Sequence, residues 1–225
     1  MEKKYVITID GQAGAGKSTV SKALAKRLSY LYLDTGALYR ALAWKGKEEG
    51  ITMENREGID RLLRDFHIHL KNVDGQFRVY VDGRDVTELI RTQEIGMLAS
   101  SLSALPTVRQ ALLAVQREVG KAGGIVAEGR DMGTVVFPQA DFKFFLDATP
   151  QERARRRYLE LLKKGERITF EEVEKEVNLR DKQDTERAYA PLRPAADAFI
   201  IDSTCLSIEE VVDKLFCHIM EQKKP

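Results

Sequence analysis

The chain has 225 residues, of which 43% are hydrophobic and 32% are charged, so it is globular and long enough to bury one substantial α/β core. Lysine and arginine number 36 against 35 aspartate and glutamate residues. This balance excludes a general affinity for nucleic acids, and positive charge has to act through local clusters.

No apolar run approaches the roughly 20 residues needed to span a bilayer, and the N-terminus lacks a secretion signal. We therefore expect a soluble, cytoplasmic protein with no membrane partner. The two cysteines, Cys205 and Cys217, have no metal-like spacing and are expected to be buried structural residues in a reducing compartment.

The first predicted elements are a β-branched strand over 5–9 and a helix with apolar residues at helical spacing from Val20 to Leu28. The loop between them has the Walker A spacing, a glycine followed after four residues by Gly-Lys-Ser. Such a loop points backbone N–H groups at phosphates, while Lys17 reaches the outer phosphates and Ser18 completes the shell of a magnesium ion. The loop residues expected to bind ATP are Gly11, Gln12, Ala13, Gly14, Ala15, Gly16, Lys17, Ser18 and Thr19.

Two other interpretations of this loop are weaker. A glycine-rich turn that only starts a helix does not account for the combination of strand, loop, Lys-Ser and helix. A dinucleotide fingerprint counted from Gly14 needs a third glycine where Thr19 stands, so that interpretation fails.

A second strand is predicted over 30–33, and Asp34 follows it at the edge where α/β sheets place ligand contacts. Asp34 either takes part in the water shell of the magnesium ion or caps the following helix. Arg40 lies on that helix, where it either holds a phosphate or is an ordinary surface arginine.

Residues 59–104 contain short alternating runs joined by Asp74-Gly75 and Asp82-Gly83, which predict an antiparallel β insert. His67 and His69 share one face of a strand. Two histidines without further ligands favour a polar strand face over a metal site.

Pro106 precedes a predicted helix whose first turn holds Arg109. A cation at that position opposes the helix dipole. Arg109 is therefore a candidate for binding an anion or a base, although the penalty is small enough for the placement to arise by chance.

A third core strand over 125–127 runs into the polar turn 128–134, which contains Arg130 and Asp131. Because this turn follows an apolar strand, as Asp34 does, a binding site is favoured over a surface ion pair. The remaining predicted elements are strands over 142–146 and 199–201 and a closing helix from about Ser207.

The most basic segment has arginines at 153, 155, 156 and 157. Helical spacing places Arg153, Arg156 and Arg157 on one side, with Glu152 and Glu160 available as ion-pair partners. Such a run is usually a solvated charged face.

Arg180, Asp184 and Arg187 follow at i, i+4 and i+7, so one helical face presents arginine, aspartate and arginine. Guanidinium groups suit phosphate oxygens, and the carboxylate suits a sugar hydroxyl or an amino group. These arginines exceed what one triphosphate needs, so a second, phosphorylated substrate is the simplest explanation. A phosphate monoester is largely dianionic at neutral pH and can attack without a general base, whereas an alcohol acceptor requires a carboxylate beside its hydroxyl.

The chain resembles the bacterial cytidylate kinases of the nucleoside monophosphate kinase group over nearly its full length. The resemblance rests on "GQAGAGKST", "LDTGALYR", "EGRDMGTVVFP" and "RDKQDTERAYAPLRPAADAFIIDST", together with the β insert. It implies a P-loop three-layer α/β/α fold with a five-stranded parallel sheet, an antiparallel β insert and a short helical lid.

The implied organisation is a single kinase domain with a core of 1–58, 105–150 and 168–225, a monophosphate-binding insert at 59–104 and a lid at 151–167. The implied reaction transfers the γ-phosphoryl group of ATP to CMP or dCMP with Mg²⁺. The protein is expected to act as a monomer on these small molecules.

The resemblance also implies roles for individual residues. Ser100, Arg109 and Asp131 would read cytosine, whose amino group Asp131 can accept, while uracil presents a carbonyl there that a carboxylate repels. The implied catalytic residues are Lys17, Arg130, Arg153, Arg157 and Arg187. The implied CMP contacts are Asp34, Gly36, Tyr39, Arg40, Ser100, Arg109, Arg130, Asp131, Arg180, Asp184 and Arg187.

Two positions depart from the family pattern. Thr35 stands where serine is frequent, and Ser18 stands where glycine often follows the Walker lysine. Ser18 makes direct magnesium ligation more plausible, although Thr19 and water can share that role.

Two rival functions stay open from the sequence. The first is a kinase whose main acceptor is UMP or another small molecule. The second is a nucleotide-gated binding module, which needs the P-loop but has no use for the arginine-rich face.

Overall fold

The structure is a computed structural model of the chain, and it describes residues 3–73 and 76–222. The described residues form two compact units, a larger one within 1–32 and 120–225 and a smaller one within 33–119. The strands in chain order are β1 (Val6–Gly11), β2 (Leu31–Asp34), β3 (Ile68–Val73), β4 (Gln76–Val81), β5 (Arg84–Asp85), β6 (Ile125–Gly129), β7 (Phe142–Asp147) and β8 (Phe199–Asp202). The α-helices are α1 (Lys17–Leu28), α2 (Thr35–Glu48), α3 (Arg56–Arg64), α4 (Gln93–Ser103), α5 (Pro106–Gly120), α6 (Pro150–Lys163), α7 (Phe170–Glu186) and α8 (Ile208–Gln222).

Five strands form one parallel sheet in the order β2-β6-β1-β7-β8. The register places Asp10 of β1 beside Gly129 of β6, and Gly11 beside Leu146 of β7. The carboxyl ends of these strands therefore meet at one edge, where open α/β sheets bind ligands. The predicted fold class, a parallel five-stranded sheet flanked by helices with a small antiparallel sheet, is confirmed.

The larger unit buries its sheet because the central strands are apolar on both faces, as parallel strands usually are. Every residue of β6 is buried, and Ile7 and Ile9 of β1 have no exposed surface. Helix α1 lies against α8, where the Arg27 guanidinium lies 4.0 Å from the centre of the Phe216 ring.

Local signals explain where the two helices after β7 begin. Thr149 caps α6 and precedes a proline at its first position. Thr169 and Glu172 form a complete capping box at the start of α7. The two helices pack through Leu161, Val173 and Val177.

The smaller unit has its own core, built around Leu38 and Leu42 of α2, Leu62 of α3 and Val79 and Val81 of β4. Its antiparallel sheet has the order β3-β4-β5 and extends over residues 68–85. The predicted antiparallel strands are thus confirmed, and within 59–104 helical residues lie on either side of them.

Of the two predicted hairpin turns, Asp82-Gly83 joins β4 to β5 as expected. Both residues have positive φ, 49° and 82°, as the two-residue turn requires. The other predicted turn, Asp74-Gly75, lies outside the described residues. Over the described parts of the chain, no group of three or more His, Cys, Asp or Glu side chains is arranged to hold a metal.

The expectation that both cysteines are buried is wrong. Cys205 and Cys217 are free and exposed. Cys205 lies in the loop after β8, and Cys217 lies off the stripe of Val211, Leu215 and Ile219 that α8 buries. Cysteine is a small, weakly polar residue, but this did not show whether Cys217 lies on the buried face of α8.

Within residues 3–73 and 76–222, no single helix is long and apolar enough to cross a membrane. Helices α4 and α5 pass that test of length and composition only as a pair, and the pair is bent by 101°.

Candidate active site

The phosphate-binding loop connects β1 to α1 in a conformation that depends on its glycines. A side chain at Gly14 would place its Cβ 2.7 Å from the Arg153 carbonyl oxygen, and Gly14 has a φ of 78°. Gly16, with a φ of 89°, is the residue before the first turn of α1. The loop therefore turns tightly and leads its N–H groups into a helix N-terminus, which is an anion-binding arrangement.

Lys17 is buried at the start of α1, and its Nζ donates to the Gln12 carbonyl oxygen at 2.6 Å. Burial and the nearby charge of Arg130 hold the pKa of Lys17 well below its usual value. A bound polyphosphate would raise that pKa again, because negative charge favours the ammonium form.

Glu128, the fourth residue of β6, is a buried carboxylate that the sequence analysis did not single out. It accepts hydrogen bonds from the Ser18 hydroxyl at 3.0 Å and from the Tyr32 hydroxyl. Its position as the first residue of the predicted polar turn 128–134 was the signal that could have identified it. Ser18 and Glu128 together place a hydroxyl and a carboxylate beside the phosphate loop, and Mg²⁺ in kinases prefers such oxygen ligands.

A buried cluster of charges contains Arg130, Asp131, Asp184 and Arg187. Arg130 Nε donates to Asp184 Oδ2 at 2.6 Å. Arg187 places its guanidinium 3.6 Å from Asp131 Oδ1 and 3.9 Å from Asp184 Oδ1. The structure thus brings together these four predicted site residues.

The pKa of Asp184 shows how this cluster is balanced. Burial acts to raise the pKa, but the charges of Arg130 and Arg180 outweigh burial and lower it below 3.8. The same charges influence Lys17, so the cluster and the phosphate loop share one electrostatic environment.

The predicted continuous face of Arg180, Asp184 and Arg187 requires a correction. Helix α7 ends at Glu186, and Arg187 has an extended backbone with φ of −61° and ψ of 137°. Arg187 Nε donates to the Ala190 carbonyl oxygen at 2.6 Å, so the chain leaves the helix there. Arg187 reaches Asp184 from outside the helix.

Of the arginines of α6, Arg155 is exposed, whereas Arg153, Arg156 and Arg157 have protein partners and are at least partly buried. Arg153 has 1% of its surface exposed and donates to Ala148 O, Ala13 O and Asp181 Oδ2, the last at 2.5 Å. Arg156 donates to Ser203 Oγ at 3.0 Å and to its carbonyl oxygen at 2.6 Å. Arg157 pairs with Glu160 at 2.9 Å, one of the two partners expected from the sequence.

Asp34 and Arg40 form an ion pair of 2.8 Å in the smaller unit. Asp34 also caps α2 by accepting from the Ala37 N–H at 2.9 Å, so the capping interpretation of Asp34 is confirmed. Gly36 leaves room for this pair, because a Cβ there would lie 2.9 Å from an Arg40 nitrogen and the Arg40 guanidinium would have to shift.

Three further predicted residues lie within the same unit. Arg109 is buried in α5, with its guanidinium carbon 5.5 Å from the centre of the Tyr39 ring. Ser100 is buried in α4. The ring face attracts the cation, and the Arg109 guanidinium also donates to the Ser103 carbonyl oxygen at 3.3 Å.

A parallel α/β sheet, a glycine-rich loop with Lys17 and Ser18, and a neighbouring arginine cluster define the class of P-loop phosphotransferases. The family model described as Cytidylate kinase matches residues 7–221. The chain belongs to the cytidylate kinase family.

Curated relatives match over almost the whole chain. Cytidylate kinase from Carboxydothermus hydrogenoformans is 51% identical, covering 93% of this chain and 94% of the relative. Cytidylate kinase from Syntrophotalea carbinolica is 45% identical, covering 100% of this chain and 95% of the relative.

Solved structures support the fold alone. The shikimate kinase from Bacteroides thetaiotaomicron has a TM-score of 0.51 at 13% identity, covering 97% of this chain and 99% of that one. An uncharacterised protein from Eubacterium ventriosum has the same TM-score at 10% identity, covering 97% and 99%.

The balance of charges around Asp184 generates a stability prediction. Asp184→Asn removes the carboxylate from Arg130 and should lower the free energy of unfolding at pH 7 by about 3 kcal/mol, because buried cations then lack compensation. The pKa of Asp184 is depressed on folding, so its contribution is present above 3.8 and is lost as the pH falls through the lower folded-state pKa. Urea unfolding of both proteins at pH 7 and near pH 3 measures the difference.

The matched control is Asp197→Asn. Asp197 also pairs with a cation, Lys143 at 2.8 Å, but the Asp197 side chain is 65% exposed, so water reaches the pair from that side although Lys143 is 9% exposed. Water can replace part of what the carboxylate provides, so the loss should be about 1 kcal/mol and smaller than for Asp184→Asn. Equal losses in the two variants would contradict the role assigned to Asp184.

Proposed function

We propose that this protein transfers the γ-phosphoryl group of ATP to CMP or dCMP, giving ADP and CDP or dCDP. The observation that carries the proposal is the buried cluster of Arg130, Asp184 and Arg187 within electrostatic reach of Lys17. A loop for the donor phosphates and a separate set of arginines for a second anion are what transfer between two phosphates needs.

The chemistry follows from the charges of the two substrates. An oxygen of the acceptor phosphate forms a bond to the γ-phosphorus while the bond from that phosphorus to the bridging oxygen breaks, and ADP leaves with the electron pair. The acceptor is already dianionic at neutral pH, so no base has to remove a proton. Lys17, Arg130 and Arg187 would offset the repulsion between the two anions and stabilise the transferring group.

Arg153 and Arg157 would have different roles. Arg153 donates to the Ala13 carbonyl oxygen, so we propose that it positions the phosphate loop. Arg157 pairs with Glu160, which is half exposed, and we propose that Arg157 contacts the transferring phosphoryl group. The boundaries proposed for the lid, 151–167, remain a prediction.

Magnesium fits the oxygens present. Ser18 and Glu128 would hold Mg²⁺ beside the phosphate loop, with Thr19 available next to them, and the participation of Asp34 through water remains a prediction. When bound, the ion would neutralise charge on the phosphate oxygens of ATP.

We propose that the acceptor base is read by Asp131, Ser100 and Arg109. The sugar would be bound by Arg180 and Asp184. Asp131 carries the main discrimination, because a carboxylate accepts from the cytosine amino group and repels the uracil carbonyl. Arg40, Arg130 and Arg187 would bind the acceptor phosphate, with Gly36 and Tyr39 supporting Arg40 and Arg109.

The substrates are therefore small molecules. We propose that the protein acts as a monomer in the cytoplasm, where ATP and nucleoside monophosphates occur. The reaction requires no nucleic acid or membrane partner.

The direct test compares acceptors. With ATP and magnesium, purified protein should form ADP fastest with CMP or dCMP and much more slowly with UMP and AMP, measured by coupled ADP release. A preference for UMP would favour the rival acceptor class. No ADP formation with any monophosphate would favour a binding module and contradict the proposal.

A second prediction concerns Asp131. Asp131→Ala should reduce the preference of kcat/KM for CMP over UMP by roughly 10- to 100-fold, because it removes the acceptor for the amino group. Asp197→Ala removes an exposed carboxylate of the same unit and should leave the preference unchanged. An unaltered preference in Asp131→Ala would show that the base is read elsewhere.

A further inference from the structure

Asp10 is a buried carboxylate that none of the assigned roles uses. It lies near the end of β1, directly before the phosphate loop and beside Gly129 of β6. Its Oδ1 accepts from the Met132 N–H and its Oδ2 accepts from the Gly133 N–H, both at 2.8 Å. Each oxygen thus holds one of two consecutive backbone groups.

These two N–H groups begin a short π-helical turn, Met132–Val136. The first N–H groups of any helical turn have no partner within the turn. The residue before the turn is Asp131, which is the position where an aspartate normally caps with its own side chain. Asp131 makes no such capping bond, and its Oδ1 instead lies 3.6 Å from the Arg187 guanidinium.

Burying the Asp10 carboxylate is energetically unfavourable. Burial raises the pKa of Asp10 to about 6, even though its two backbone hydrogen bonds act in the opposite direction. Its neighbours on the strand, Ile7 and Ile9, are fully buried apolar residues. The turn is also packed tightly, because a Cβ on Gly133 would lie 3.1 Å from the Thr8 hydroxyl oxygen.

We infer that Asp10 is a positioning residue that caps the turn after Asp131, so that the Asp131 carboxylate stays directed toward Arg187 and is available to read the base. The inference rests on the proposed function, in which Asp131 selects cytosine. Without Asp10, two buried N–H groups need an acceptor, and the Asp131 carboxylate at the cap position is suited to accept from the second of them, the Gly133 N–H. Turning onto that group would take Asp131 away from the base.

The test is Asp10→Asn, which keeps the shape but offers one acceptor oxygen and an amide group that opposes the second N–H. We expect the ratio of kcat/KM for CMP to that for UMP to fall about tenfold, mainly through the KM for CMP. The KM for ATP should change less than about twofold, since the loop itself is not altered.

Asp141→Asn is the matched control. The Asp141 carboxylate also accepts a backbone N–H, from Val6 at 2.9 Å, at the opposite end of the same strand. Its removal should leave the CMP to UMP ratio unchanged. If Asp10→Asn lowers activity with both acceptors equally and raises the KM for ATP, Asp10 serves the phosphate loop and the inference is overturned.

A double-mutant cycle separates this inference from the proposed function. In the Asp131→Ala background, Asp10→Asn should change the CMP to UMP ratio no further, because it acts through Asp131. If Asp131→Ala lowers the ratio and Asp10→Asn does not, the inference fails and the proposed function stands. If Asp131→Ala leaves the ratio unchanged, base reading by Asp131 fails, and with it the role given to Asp10.

Amide hydrogen exchange tests the capping in the unaltered protein, including the case in which Asp10→Asn does not fold. The Met132 and Gly133 amides should exchange slowly, because a buried carboxylate holds both. Rapid exchange of these two amides within an otherwise protected sheet would overturn the capping.

Discussion

The Asp184 carboxylate is the constraint on which the larger unit's site depends. The site proposed for two phosphorylated substrates gathers Lys17, Arg130 and Arg187, whose side chains are largely shielded from solvent, and these cations repel one another. Asp184 offsets that repulsion at short range, as the direction of its pKa shift records. A buried ion pair of this kind contributes little net stability, but removing one partner is costly. Binding of the proposed anionic substrates would account for this arrangement.

Helix α7 connects this cluster to the phosphate loop. Asp181 and Asp184 are one turn apart, and they hold Arg153 and Arg130 respectively. Arg153 in turn donates to the Ala13 carbonyl oxygen, and the Ser203 hydroxyl donates to the Ala15 carbonyl oxygen at 3.3 Å. The backbone of the loop is therefore fixed from outside, and one helix supports both groups of cations.

The parts of this site that the sequence predicted are those set by local spacing. The loop from Gly11 to Thr19, the strands and the turn at Arg130 each have a period or a motif that reports backbone conformation. Glu128, Asp10 and the burial of Arg153 were not predicted, because a charged residue on a strand or helix has the same appearance in sequence whether water or a distant partner satisfies it. Their partners are 110, 122 and 28 residues away along the chain.

The end of α7 illustrates the same limit. Helical spacing correctly placed Arg180 and Asp184 on one helix, yet Arg187 lies beyond its last turn. The charge cluster nevertheless forms, because the extended chain after Glu186 returns Arg187 to Asp184. A long-range contact with Asp131 and a local bond to the Ala190 carbonyl oxygen hold Arg187 in this position, against the helical periodicity of the sequence.

We propose that this chain has an anion site for the acceptor that exists independently of the donor loop. Calorimetric titration of the protein with CMP alone, without ATP, tests it most directly. CMP should bind saturably at one molecule per chain, and salt should weaken this binding. Arg187→Ala should weaken CMP binding while leaving ATP binding nearly unchanged. Absence of CMP binding without ATP, or equal weakening of both ligands by Arg187→Ala, would contradict it.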